Sequence, residues 1–224
     1  MAEAAHSNNK IHFQLERISF FSDGVFAIAI TLLVIEFKVP IIEHSTDYLL
    51  WESLKEMAWK FLGFIISFCI VGYYWSVHHR IFGYVENYNV RLLWLNLLFL
   101  FSVVLLPFTS AFIGEYATKQ NLLLPYGIYV INICLTATMN CILWFYLNNH
   151  KYDFLTHKIS KERILLGFYF TLVVPLIFII SYILTIYFPI IGRLFPILIP
   201  IILKYGLNGL SARALQKEVQ NQSE

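Results

Sequence analysis

Residues 92–114 read LLWLNLLFLFSVVLLPFTSAFIG, a run without a single Asp, Glu, Lys or Arg. A helix needs about 20 mainly apolar residues to cross the hydrocarbon core of a bilayer, and this run is long enough. Residues 61–77, 120–149 and 164–192 are equally free of these four charged residue types. The whole chain fits that reading. Its 224 residues are 58% hydrophobic and 13% charged, whereas a soluble domain is roughly half apolar and a quarter charged. A transmembrane β-barrel would instead show segments of about ten residues with alternating polarity. The sequence therefore reads as an all-α, polytopic membrane protein.

Six spans are expected, over about 18–37, 58–79, 91–113, 122–147, 164–187 and 189–207. Together they make one transmembrane domain over 1–210, followed by a cytoplasmic tail over 211–224. The last span is the least regular, because Pro189, Pro196, Pro200 and Arg193 interrupt it. Orientation follows from the basic residues near the span ends. One side holds Lys10, Arg17, Arg80, Arg91, Lys151, Lys158, Lys161, Arg163, Lys204, Arg213 and Lys217. The other holds Lys38, Lys55, Lys60, Lys119 and Arg193. The richer side is cytoplasmic, so both termini are expected there, in a multi-pass protein of the cell membrane. The segment after the first span is acidic, with Glu36, Glu43, Asp47, Glu52 and Glu56. It reads as an outer loop that either concentrates cations or is simply solvated.

Several functions find no support. Net charge is +2 without a basic stretch, so nucleic acid has no electrostatic footprint to meet. Cys69, Cys134 and Cys141 all sit in apolar runs, which argues against a disulfide framework or a CxxC metal site. The polar start, Met1 to Lys10, does not resemble a signal peptide. Phosphate loops, HExxH and GxSxG are absent, so no enzyme and no cofactor are expected. His78 and His79 point about 100° apart on a helix and cannot grip one ion together. Val71-Gly72-Tyr73 lacks the rest of a TVGYG filter and reads as an ordinary helix turn.

The first span carries the information. Its sequence from Arg17 to Glu36 is RISFFSDGVFAIAITLLVIE. On a helix, Ile28, Thr31, Leu32 and Ile35 share a stripe about 100° wide, which Gly24 extends. Asp23 points about 140° away from Ile28. A charged group at bilayer depth needs internal partners, and His78 and Asn96 sit at matching depth. The apolar stripe could be packed core, lipid contact or pore wall, and periodicity does not choose among these.

Arg17-x3-Phe21-Ser22-Asp23 resembles the RxxxFSD signature of potassium channels related to endolysosomal transmembrane protein 175, in their bacterial single-repeat form. Trp75-x2-His78-His79 resembles the WxxHH that ends the second helix of that family. Leu95-Asn96-Leu97 followed by Leu106-Pro107-Phe108 resembles its third helix. The likeness covers the first half of the chain by motif and the second half by length and hydropathy.

The resemblance implies an atypical tetrameric cation channel of six transmembrane helices per subunit. It would be a homotetramer in a lipid bilayer, with the first helix of each subunit lining a central pore. The constriction would be rings of Ile28, Leu32 and Ile35, a hydrophobic gate without TVGYG, and Thr31 would supply a polar selectivity ring. Arg17, Phe21, Ser22, Asp23, Trp75, His78 and Asn96 would form a structural lock behind the pore helix. Potassium would be the permeant ion, with no other metal. Two other readings stand beside it. One is a secondary transporter or proton-leak pathway using Asp23 and His78; the other is a membrane cofactor protein centred on His78 and His79.

Overall fold

The computed structural model describes residues 2–35, 37–42, 46–116, 122–149, 154–155 and 161–204. Backbone groups in hydrocarbon have no water to bind, so an apolar run must pair its N–H and C=O groups within itself and becomes a helix. The chain forms α1 (Ala2–Ile35), α2 (Asp47–Glu56), α3 (Ala58–Phe82), α4 (Val90–Glu115), α5 (Leu124–Leu147), α6 (Lys161–Tyr187) and the short α7 (Pro189–Leu194). A 3-10 turn over Phe195–Leu198 follows. Among the described residues the only β pairing is an isolated bridge between Val85 and Leu155. Five of the helices are long and apolar enough to cross a membrane, namely α1 from Lys10 on, α3, α4, α5 and α6.

Three departures from the sequence expectation have local causes. Helix α1 starts at Ala2, well ahead of residue 18. Hydropathy locates where a helix enters lipid, but residues such as Ala, Gln, Leu, Lys and Glu favour helix in water as well. Within the acidic segment, Asp47, Glu52 and Glu56 belong to α2 rather than to a loop. The Thr46 hydroxyl accepts from Leu49 N at 3.3 Å as its N-cap, and Lys55 pairs with Glu52 at 2.8 Å. Glu36, Glu43 and His44 lie outside the described residues. The expected sixth span is not one continuous helix in its described part. It breaks into α7, the 3-10 turn and a helical stretch over 199–204, because Pro196 and Pro200 lack the N–H a continuous helix needs. Residues 205–207 and the tail over 211–224 lie outside the described residues.

Helices α1, α3 and α4 pack against one another, α5 packs along α4, α6 along α5, and α7 folds back on α6. The core runs through this stack, with Phe26, Val71, Tyr74, Phe99, Val103, Leu106, Ile133, Leu143 and Phe178 all nearly sealed. Asn89 starts α4 by accepting from Leu92 N at 2.8 Å. Its amide nitrogen also donates to the Tyr146 hydroxyl at 2.9 Å, tying α4 to the end of α5. Pro107 interrupts α4. The Asn132 amide of α5 satisfies its surroundings there when its nitrogen donates to Ser102 O at 3.1 Å and its oxygen accepts from Leu106 N at 3.2 Å. That inserts a side chain into the α4 ladder one residue before the proline, a recognised cause of a bend.

The α6–α7 turn depends on Gly192. A Cβ there would collide with the backbone nitrogen and hydroxyl of Thr185. At Gly72, in mid-α3, a Cβ meets nothing within 4 Å. Gly192→Ala is therefore expected to lower stability by about 1–3 kcal/mol through overpacking. Gly72→Ala is expected to raise it by about 0.5–1 kcal/mol through helix propensity. Thermal unfolding in detergent measures both, and equal melting temperatures for the two variants would contradict this packing.

Candidate functional site

Helix α1 has two faces that differ in what they touch. Ser22, Phe26, Ala29 and Leu33 are buried, at the three- and four-residue spacing of one helical stripe. Gly24, Ile28, Thr31, Leu32 and Ile35 are exposed, Ile28 to 61% and Ile35 to 67%. The two stripes are centred about 145° apart around the helix. In a single chain the apolar stripe read from the sequence is thus the face that α3 and α4 leave uncovered.

A chain of hydrogen bonds holds the buried face. His78 on α3 and Asn96 on α4 meet at 2.8 Å through Nε2 and Oδ1. Asn96 Nδ2 donates to Ser22 Oγ at 3.0 Å. Ser22 Oγ donates in turn to Ile18 O at 2.9 Å. The amide oxygen can only accept, so Nε2 carries the imidazole proton and every bond points the same way along the chain. Phe82 and Phe99 stack on the His78 ring at 4.3 and 5.5 Å between centroids. Both Asn96 and His78 are almost fully buried, which gives the link high stakes, since a buried polar group without its partner costs about 1–3 kcal/mol.

Asp23 joins through a separate bond. Trp75 Nε1 on α3 donates to Asp23 Oδ1 at 2.9 Å, and the Trp75 ring stacks on His79 at 5.6 Å. His78 is buried while His79 is exposed, as adjacent positions on a helix require. The structure therefore brings together Ser22, Asp23, Trp75, His78 and Asn96. Arg17 and Phe21 stand outside this cluster. Arg17 is exposed and, among the described residues, reaches only Gln14 Oε1, at 3.5 Å. The reason is geometric: Arg17 and Ile28 are eleven residues apart, close to three full turns, so Arg17 shares the uncovered side. Phe21 is 56% exposed.

Thr31 has a feature the sequence could not show. Its hydroxyl donates to Ile28 O at 2.9 Å. The proton is thereby turned inward to the backbone, and the oxygen keeps its lone pairs on the exposed side. Sequence reading also missed polar links between helices. Ser67 Oγ bonds Ser110 Oγ at 2.8 Å and the Tyr129 hydroxyl at 2.9 Å, and Asn140 Nδ2 donates to Thr171 Oγ1 at 3.0 Å. The available signal was the isolated Ser, Asn and Thr residues inside apolar runs, which act as interhelical glue in bilayers. Among the described residues no three His, Cys, Asp or Glu side chains gather as a metal site.

The family profile described as Endosomal/lysosomal potassium channel TMEM175 matches residues 17–107, which contain Ser22, Asp23, Trp75, His78 and Asn96. A potassium channel of Chryseobacterium sp. is 39% identical over 155 residues, covering 68% of this chain and 78% of the relative. The endosomal/lysosomal proton channel TMEM175 of Gallus gallus is 28% identical over 173 residues, covering 72% of this chain and 32% of that longer protein. The crystal structure of a lysosomal potassium-selective channel TMEM175 homolog from Chamaesiphon minutus superposes with a TM-score of 0.69 at 27% identity, covering 82% of this chain and 92% of that one.

The hydrogen-bond chain predicts a contrast between two variants. Asn96→Ala removes the acceptor of the buried His78 Nε2–H and leaves Ser22 only its bond to Ile18 O, and should cost about 1–3 kcal/mol for the imidazole left unpaired. Arg17→Ala removes only an exposed contact and should change the stability of the isolated subunit by less than about 0.5 kcal/mol. Thermal unfolding of detergent-dispersed subunits compares them, and equal losses would contradict the arrangement.

Proposed function

This chain belongs to the TMEM175 family, and from that premise we propose that it is a potassium channel built as a homotetramer, with α1 of each subunit innermost. What supports the reading is the division of α1 into a face pinned by hydrogen bonds and a face left bare. A tetramer that turned the bare faces inward would carry rings of Ile28, Leu32 and Ile35 along its axis. It would carry four Thr31 oxygens beside the Ile28 ring. Ser22, Asp23, Trp75, His78 and Asn96 would act behind the pore as a lock that sets the rotation of α1. Potassium passes without any cofactor. The protein sits in the cell membrane with both termini cytoplasmic, and the stretch over 189–204 belongs to a sixth, irregular crossing.

The chemistry follows from hydration. An apolar ring narrower than a hydrated ion raises a barrier of dewetting and dehydration, so it can gate. Potassium loses its water shell more readily than sodium. Oxygen ligands one helical turn from the constriction replace part of that shell, and the inward-turned proton of Thr31 leaves its oxygen free to coordinate. A transporter or proton-leak pathway through Asp23 and His78 draws less support, because both side chains are engaged with Trp75 and Asn96 away from the bare face.

Thr31→Val keeps the volume and removes the oxygen. It should lower the potassium-to-sodium permeability ratio about threefold to tenfold, which corresponds to about 0.7–1.4 kcal/mol. Ile28→Ala should widen the ring and raise unitary conductance. Reversal potentials under bi-ionic conditions and single-channel recordings provide both readings. If neither variant changes either quantity, α1 does not line the pore. Native mass measurement of a stable species other than a tetramer would refute the assembly.

A further inference from the structure

The bare stripe of α1 does not end at Ile28. It runs back toward the N-terminus through Gly24, Phe21, Arg17 and Gln14 to Lys10, in alternating steps of four and three residues. That repeat is the seam a helix presents to copies of itself around an axis. Lys10, Arg17, Phe21 and Gly24 are exposed, and Gln14 is half-buried.

The charge on this seam has one sign. Lys10 stands 18 residues from Ile28, five full turns, and Arg17 stands about 10 Å nearer. No Asp or Glu falls on the seam from Lys10 to Ile35. The two nearest acids are turned away from it. Glu16 sits about 100° round the helix from Arg17 and pairs with His12 at 3.4 Å. Asp23 accepts from Trp75 Nε1 at 2.9 Å. Among the described residues Arg17 meets only the amide oxygen of Gln14, at 3.5 Å. That acceptor is neutral, so the guanidinium charge has no counter-charge there.

The next step rests on the tetramer proposed above. Four copies of α1 around one axis would set rings of Arg17 and Lys10 in the cytoplasmic mouth, about 17 and 27 Å from the Ile28 ring. Like charges gathered in one mouth repel one another and focus a positive potential on the space between them. Guanidinium forks match phosphate oxygens bidentately. We propose that this mouth is a binding site for a soluble multivalent oligophosphate, one per tetramer, which occludes the ion path when bound. A chain of several phosphates spans the distance of about 10 Å from Arg17 to Lys10, and a single orthophosphate does not. A lipid headgroup does not fit, because its acyl chains would have to enter the ion path.

Tripolyphosphate serves as the probe. The full chain is reconstituted in planar bilayers of phosphatidylcholine, and the potassium salt is added to the cytoplasmic side without divalent cations. The expected result is a saturable block of potassium current, with orthophosphate weaker at equal concentration. The half-blocking concentration should rise at least about tenfold in Arg17→Gln, which loses a charge-assisted donor in every subunit. Arg17→Lys keeps the point charge and should fall between the two. Arg80→Gln removes an exposed charge from the end of α3 and should leave the block unchanged. Titration calorimetry on the purified wild-type protein reads binding without current and should give one anion per four chains, so the test stands even if a variant fails to assemble. The proposal is overturned by absence of binding, by one anion per chain, by a block that Arg17→Gln retains in full, or by a block that Arg80→Gln weakens as much. The pore reading is judged separately by Thr31→Val and Ile28→Ala. If those variants place the pore along α1 while tripolyphosphate neither binds nor blocks, the anion site alone falls.

Discussion

The bond from Asn96 to Ser22 fixes how α1 is rotated against its neighbours, and much of the rest depends on that rotation. An apolar helix in lipid has little reason to prefer one face over another, because lipid tails are as apolar as Leu. A hydroxyl and an amide buried at the contact change that. Turning α1 by one residue would move Ser22 about 100° from Asn96 and leave the Asn96 amide N–H without its acceptor in a medium without water. His78 extends the constraint to α3, and Trp75 repeats it through Asp23. Once that face is set, Gly24, Ile28, Thr31, Leu32 and Ile35 have to be the uncovered side.

The same logic runs through the second half of the chain. Asn132 addresses α4 beside Pro107, Asn140 addresses α6 at Thr171, and Ser67 joins α3 to α4 and α5. Each contact sets register where apolar packing alone would tolerate sliding. The most buried stretch of helix is in α5, which sits between α4 and α6. It also has polar links to both sides. The α6–α7 turn is held differently, by the close approach of Gly192 to Thr185 and by the Tyr126–Ser181 pair.

Stability and the proposed function place opposite demands on α1. Its buried face needs every hydrogen bond made. Its bare face exposes Ile28 and Ile35, which in a lone subunit would be an unexplained apolar surface. Thr31 reconciles the two, since its proton is satisfied by the backbone while its oxygen faces outward. The proposed tetramer would cover that surface.

The sequence alone was enough for the class of the protein, the location of the long helices and the grouping of Ile28, Thr31, Leu32 and Ile35 on one stripe. All three follow from local quantities: length of apolar run, charge near its ends and a period of about 3.6 residues. It also put Ser22, Asp23, Trp75, His78 and Asn96 within one motif set. Tertiary structure alone decided which of them touch. Trp75 rather than His78 meets Asp23, and Arg17 stays on the bare side. The helical form of α2 rests on the Thr46 cap, and the broken path after Pro189 on where Pro196 and Pro200 fall in the turn. The meeting of Ser67 with Ser110 and Tyr129 joins residues far apart in the chain. Hydrogen-bond partners depend on the rotation and axial register of one helix against another, and those are properties of the packed bundle that no single segment encodes.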